Sequence, residues 1–199
     1  MRVAFSGTAN SGKSTLLKSF LHTWDDFTTP EKIYRDMLIE KGLEHSSSTN
    51  TETQSAIMNF MIDQLQEYSS NDKVIYDRCP LDSVAYTLWG NEKGKEGFTR
   101  EFVTEQIALS RESMRHLDII FLCRFDEKQG VEDDGFRDVD VEYIKEVDNI
   151  FNSLYQQYAQ NPSADVFYPK DDSPAVIPLP NDIQSRIDLI AEYITPEGG

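Results

Sequence analysis

The chain has 199 residues, 39% of them hydrophobic, and 35 acidic against 19 basic side chains give it a formal charge of −16. That size and apolar content suit one soluble domain with its own core. No apolar run approaches the roughly 20 residues that span a bilayer, and no basic stripe suits a nucleic-acid duplex. Two cysteines, Cys79 and Cys123, and the scattered His22, His45 and His116 exclude a disulfide framework and a Cys/His zinc site. They fit a reduced, cytoplasmic setting, and secretion is not expected.

In chain order, Val3 to Ser6 read as a short buried strand. The chain then turns through Gly7-Thr8-Ala9-Asn10-Ser11-Gly12-Lys13-Ser14, a complete G-x-x-x-x-G-K-[ST] pattern. After Thr15, the residues Leu16, Leu17, Phe20 and Leu21 recur at helical spacing and give the next helix an inward face. The spacing has a chemical reason. Small residues let backbone N–H groups curl around an anionic oxygen, and the helix N-terminus adds the positive end of its dipole. Gly7 through Thr15 are therefore the predicted cradle of a nucleoside triphosphate such as ATP. Lys13 reaches the outer phosphates, and the Ser14 hydroxyl is placed for Mg2+.

Trp24 to Pro30 holds a short second predicted strand, and Pro30 opens a helix to about Lys41, ended by Gly42. His45 to Asn50 is a polar loop. Thr51 caps a predicted helix through Tyr68, with Ile57, Phe60, Met61 and Leu65 on one face. Tyr34, Arg35, Asp36, Gln54 and Asn59 in this stretch read as solvated helical surface. Lys73 to Asp77, KVIYD, is a buried strand ending in a carboxylate, and Pro80 starts a helix through Trp89. A charged, glycine-rich loop at 90–97 leads to a long helix from Thr99 to Arg115 and a core strand from Asp118 to Cys123.

Arg124 to Val139 is polar and glycine-punctuated, either a surface loop or a mobile cover over a site. A helix from about Val141 to Gln160 follows. Ala175 to Leu179, AVIPL, is the last strand, which Pro178 and Pro180 shorten or confine to an edge. Asp182 caps a final helix to about Tyr193, and the residues from Thr195 on are expected to fray.

The alternation of strands and helices argues for a parallel α/β sheet with helices on both faces, whose ligands bind at the carboxyl ends of the strands. That rule puts the phosphate loop, Asp77-Arg78 and the 124–139 segment on one rim. Asp77 is placed to bind magnesium through water or to accept the proton of an attacking hydroxyl, with capping of the next helix as its alternative. Arg78 can hold a phosphate, and Asp82 either pairs with Arg78 or favours the helix N-terminus.

The phosphate loop together with Asp77-Arg78-Cys79-Pro80-Leu81-Asp82-Ser83-Val84-Ala85-Tyr86 resembles the deoxynucleoside and nucleotide kinase group of P-loop proteins, thymidylate kinase included. It also resembles the AAA-type, ATPase-like kinases that include the ribosylnicotinamide kinase domain. The resemblance implies a three-layer P-loop fold with a five-stranded parallel sheet, helices on both faces, and one kinase domain over residues 1–199. It casts Asp77 as base toward the acceptor hydroxyl and Arg78 as a phosphate or substrate contact. Cys79 departs from the usual serine. Asp134-Gly135-Phe136-Arg137 is similar to the D-G-x-R lid of the ribosylnicotinamide-kinase-like proteins, which makes 125–139 a lid that carries Arg137 to the transferred phosphate.

Three readings follow. The first is a kinase moving the ATP γ-phosphate to a nucleoside, nucleotide or similar small molecule. The second is a nucleotide switch or NTPase; Asn91-Glu92-Lys93-Gly94 lacks the aspartate of a guanine-reading N-K-x-D, and no strand ends in Asp-Glu. The third keeps the chemistry but places the acceptor in DNA, against which the acidity argues. A small-molecule partner is expected, a homodimer stays open, and no membrane is involved.

Overall fold

Arg2–Ser6 forms β1, an all-buried strand at the middle of a parallel sheet. Its partners are β2 (Val74–Asp77) on one side and β3 (Ile119–Cys123) on the other, with β4 (Ala175–Leu179) beyond β3, in the order β2-β1-β3-β4. The computed structural model describes residues 1–43, 46–131, 139–160 and 166–195. Register is set by the apolar residues: Ala4 lies between Tyr76 and Ile120, and Phe5 between Asp77 and Phe121.

Successive β1 side chains enter different cores, as the two-residue strand period requires. Val3 and Phe5 face α1 (Lys13–Thr23) and α7 (Ile183–Tyr193), packing with Leu16, Phe20, Trp24 and Ile190. Ala4 faces α4 (Pro80–Glu92) and α6 (Val141–Gln160), packing with Leu81, Ala85, Ile144 and Val147. Outside α4 lie α3 (Thr51–Glu67) and α5 (Arg100–Ser113), and α2 (Tyr34–Lys41) closes onto α3 through Met37, Leu38, Ile57 and Met61. None of the described helices is long and apolar enough to cross a membrane.

The architecture is the expected α/β fold with two differences. Among the described residues the sheet has four strands, not five. The predicted strand within Trp24–Pro30 shrinks to one parallel bridge, Thr28 to Val74, with Thr28 N–H on the Lys73 carbonyl at 2.9 Å. Pro30, which has no N–H to donate, follows two residues later. Trp24 and Phe27 are buried core residues, so the segment is held by packing rather than by a ladder. Helix α2 starts at Tyr34 rather than Pro30, because the Asp36 carboxylate accepts the Ile33 N–H at 2.9 Å and fixes the first turn there.

Smaller shifts have similar causes. Asn50 rather than Thr51 caps α3, its Oδ1 taking the Thr53 N–H at 2.9 Å. Helix α4 runs past Trp89 to Glu92. β4 is an edge strand, the position Pro178 demands.

Candidate active site

The phosphate loop is shaped by backbone that few residues tolerate. Gly7 has φ 138°, and a Cβ there would sit 2.1 Å from the Cys123 carbonyl oxygen, so this position accepts only glycine. Asn10 (φ 56°) and Gly12 (φ 80°) are also left-handed and lead into the N-terminus of α1. That helix has no acidic residue in its first turn, leaving its dipole unopposed for an anion.

Lys13 is only 6% exposed. Its Nζ donates to the Gly7 carbonyl at 2.8 Å, the Thr8 carbonyl at 2.5 Å and the Ser11 Oγ at 2.9 Å. All three ammonium hydrogens are thus spent on the loop itself. Burial, and next the Arg78 guanidinium, lower its pKa to about 7.

A second cluster ties the end of β2 to this loop. Asp82, in the first turn of α4, accepts the Cys79 N–H on Oδ2 at 3.1 Å. Its Oδ1 accepts Arg78 Nη1 at 2.8 Å and the Gly7 N–H at 3.1 Å. Both roles expected for Asp82 therefore hold together, with a third that sequence reasoning missed: it anchors the phosphate loop. Arg78 Nη1 also donates to the Gly7 carbonyl at 2.9 Å, and its guanidinium lies over the rings of Tyr34 at 5.4 Å and Tyr86 at 5.5 Å. The backbone of Arg78 is left-handed, φ 83°, a conformation that costs a residue with a side chain about 1–3 kcal/mol. The buried contacts of the guanidinium hold it there.

Helix α4 begins beyond Cys79, whose N–H is taken by Asp82, so capping does not fall to Asp77. Asp77 borders a cavity shared with Asn10, Lys13, Ser14, Thr15 and Gly130. A hydroxyl and a carboxylate facing one anion site fit Mg2+, which takes one or two carboxylates and completes its shell with phosphate and water oxygens. Among the described residues no group of three His, Cys, Asp or Glu side chains forms a cage of its own.

A second, mainly apolar cavity opens beside the first, walled by Tyr34, Leu38, Gln54, Ile57, Met61 and Tyr86. It is open to solvent at its mouth, and apolar walls with a few polar groups among them are the usual lining of a small-molecule site. Ala9, Arg35 and Arg78 line both cavities. Tyr34, Arg35 and Gln54 thus line a cavity and are not the solvated surface expected of them. Gln54 is buried, and its Oε1 accepts the Ser83 hydroxyl at 3.1 Å. Its signal was available: Gln54 shares the inward helical spacing of Ile57, Met61 and Leu65. Asp36 and Asn59 are exposed as expected. Arg137, with Asp134, Gly135 and Phe136, lies outside the described residues.

Solved structures of similar shape include two kinases and NadR. Deoxyadenosine kinase from M. mycoides, solved with the products dCMP and dCDP, superposes with a TM-score of 0.65 at 16% identity, over 97% of this chain and 98% of that one. Thymidylate kinase from Candida albicans gives 0.65 at 16% identity, over 97% and 90%. NadR in complex with NR gives 0.68 at 17% identity over 98% of this chain, which spans 52% of that protein's length. No curated protein matches in sequence. A family model described as an AAA domain matches residues 2–166, the stretch that holds the phosphate loop, Asp77, Arg78 and Asp82, and the chain belongs to that AAA-type family of P-loop proteins.

Proposed function

We propose that this chain is an ATP-dependent phosphotransferase that moves the γ-phosphate of ATP to a hydroxyl or phosphate of a nucleoside, nucleotide or related small molecule. One observation carries the reading: the anion cavity over the phosphate loop and the apolar cavity beside it share a wall at Ala9, Arg35 and Arg78. Donor and acceptor bound in the two cavities meet at that wall, which is the positioning that phosphoryl transfer requires.

In this reading residues 7–15 hold the triphosphate through backbone N–H groups. Lys13 leaves its three loop acceptors for the outer phosphates. Arg78, already fixed by Gly7 and Asp82, keeps positive charge at the boundary between donor and acceptor. Asp77 accepts the proton of the attacking hydroxyl, and Ser14 and Asp77 are the residues that would hold Mg2+. The ion would supply charge neutralisation at the phosphates when bound. Arg137 on the 125–139 lid adds charge where it accumulates on the leaving oxygen. The two free, buried thiols suit a reducing, cytoplasmic setting.

The test is a screen of nucleosides, nucleoside monophosphates, nicotinamide riboside and modified DNA with γ-labelled ATP and magnesium. One small acceptor is expected to take the label. Lys13→Ala should abolish the transfer, and Asp77→Asn should lower turnover far more than ATP affinity. Acceptor-independent hydrolysis would mark an NTPase or switch instead, and label on DNA alone would move the acceptor to a polymer.

A further inference from the structure

Arg186 is among the largest fully buried side chains of the chain, 2% exposed. It shares the buried face of α7 with Ile190, a row where packing alone calls for an apolar residue. Its Nε donates to the Pro180 carbonyl at 2.7 Å and its Nη1 to the Ser11 carbonyl at 2.8 Å, while Nη2 is buried without a hydrogen-bond partner. No carboxylate pairs with it among the described residues. Asp182, one turn earlier, is exposed and caps Ser185, and Asp188 is exposed beside Gln184. Asp182 still feels Arg186 as a positive charge, but burying an ion with no carboxylate in contact is costly.

The surroundings add to the cost. Ser11 receives two cations, Arg186 on its carbonyl and Lys13 on its hydroxyl. Arg186 does not line the anion cavity that Ser11 and Gly12 border, so it stands behind the phosphate loop. Holding the Ser11 carbonyl also aims the loop. No peptide bond of the described chain is cis, and in a planar trans peptide the following N–H points opposite to the carbonyl. With the Ser11 oxygen drawn toward Arg186, the Gly12 N–H is turned away from it.

We propose that Arg186 is a positioning residue for the nucleotide: its guanidinium orients the Ser11–Gly12 peptide from behind, and the bound triphosphate balances its buried charge. The proposal rests on the loop being a triphosphate site, and the experiment separates the two. ATP affinity, measured by calorimetry with magnesium, is compared among wild type, Arg186→Gln and Arg186→Lys, with thermal midpoints of the free proteins recorded alongside.

Arg186→Gln is expected to lose about tenfold or more in affinity, the scale of one charge-assisted hydrogen bond. Arg186→Lys, which offers an ammonium for the Ser11 carbonyl but not the planar two-point fork, should lose less than Arg186→Gln. A purely structural side chain gives the opposite pattern, a lowered midpoint with affinity retained, and that result overturns the proposal. So does a Lys variant as weak as the Gln variant. Should Arg186→Gln fail to fold, Arg186→Met, of similar reach but without charge or donors, takes its place, with a tenfold loss of affinity in support and wild-type affinity against. Wild-type protein that binds no ATP overturns the site reading itself.

Discussion

Lys13 spends its three donors on its own loop, in a pocket where burial and Arg78 lower its pKa to about 7. A polyanion in that pocket favours the ammonium and raises the pKa back toward its ordinary value. The sign follows: below pH 7 the amine is charged with or without ligand, and above it only the complex retains the proton. Nucleotide binding at pH 8 should therefore take up close to one proton, and affinity should fall as pH rises above 7. Calorimetry at pH 8 in buffers of different ionisation enthalpy checks this, and a buffer-independent heat would refute it. Asp82 makes a second residue-scale case. Its ion pair with Arg78 has side chains 5% and 1% exposed, and removing one partner of a buried pair costs roughly 3–5 kcal/mol. Asp82→Ala should lose about that much in urea unfolding and free the Gly7 N–H, whereas Asp82→Asn, which still accepts hydrogen bonds, should lose less. These two residues mark what sequence shows at this scale. The loop is local and can be read from spacing, but Asp82 reaches Gly7 across 75 positions, and no local pattern encodes that bond.

Among the elements, the segment after β3 leads from the sheet to the rim of the phosphate cavity. Arg124 grips Asp148 on α6 through Nε at 2.9 Å and Nη2 at 2.6 Å, and the Phe125 N–H reaches the other Asp148 oxygen at 2.9 Å. Glu127 pairs with Lys145. The start of the proposed lid is therefore fastened to α6, and Gly130, left-handed at φ 76° and bordering the phosphate cavity, is the first place where the chain can turn. With an ATP analogue and magnesium, amides 130–139 should gain protection in hydrogen exchange. Arg137→Ala should lose turnover with little change in nucleotide affinity. Equal exchange with and without ligand, together with normal turnover of Arg137→Ala, would leave a plain surface loop. Legibility differs among elements for a physical reason. Strands buried on both faces announce themselves as apolar runs, as in IIFLC. The stretch from Trp24 to Pro30 has only Trp24 and Phe27 as large apolar residues, and both serve the core while only Thr28 bridges the sheet edge. Two isolated aromatic residues anchor a segment by packing and do not by themselves make a strand.

At the scale of the whole molecule, the sheet divides the interior into two cores, and each holds one thiol: Cys79 with α4 and α6, Cys123 with α1 and α7. Both are at most 1% exposed. Burial raises the Cys123 pKa to about 11, and burial and next Asp82 raise that of Cys79 well above its ordinary value. A thiol attacks an alkylating reagent as thiolate, so neither should react at pH 8 while the protein is folded. Reaction must wait for opening. Because the two cores meet along β1, an opening that exposes one layer of the sheet strips packing from the other, and both cysteines should label at one common rate set by global unfolding. Ligand then acts by mass action. At ATP about 100 times its dissociation constant, stabilisation of roughly 2.7 kcal/mol should slow labelling of both by about a hundredfold. Iodoacetamide labelling followed by peptide mass analysis measures the two rates separately. Cys79 reacting faster than Cys123, with the excess suppressed by ATP, would show that the N-terminus of α4 opens on its own and takes the Arg78–Asp82 anchor of the phosphate loop with it.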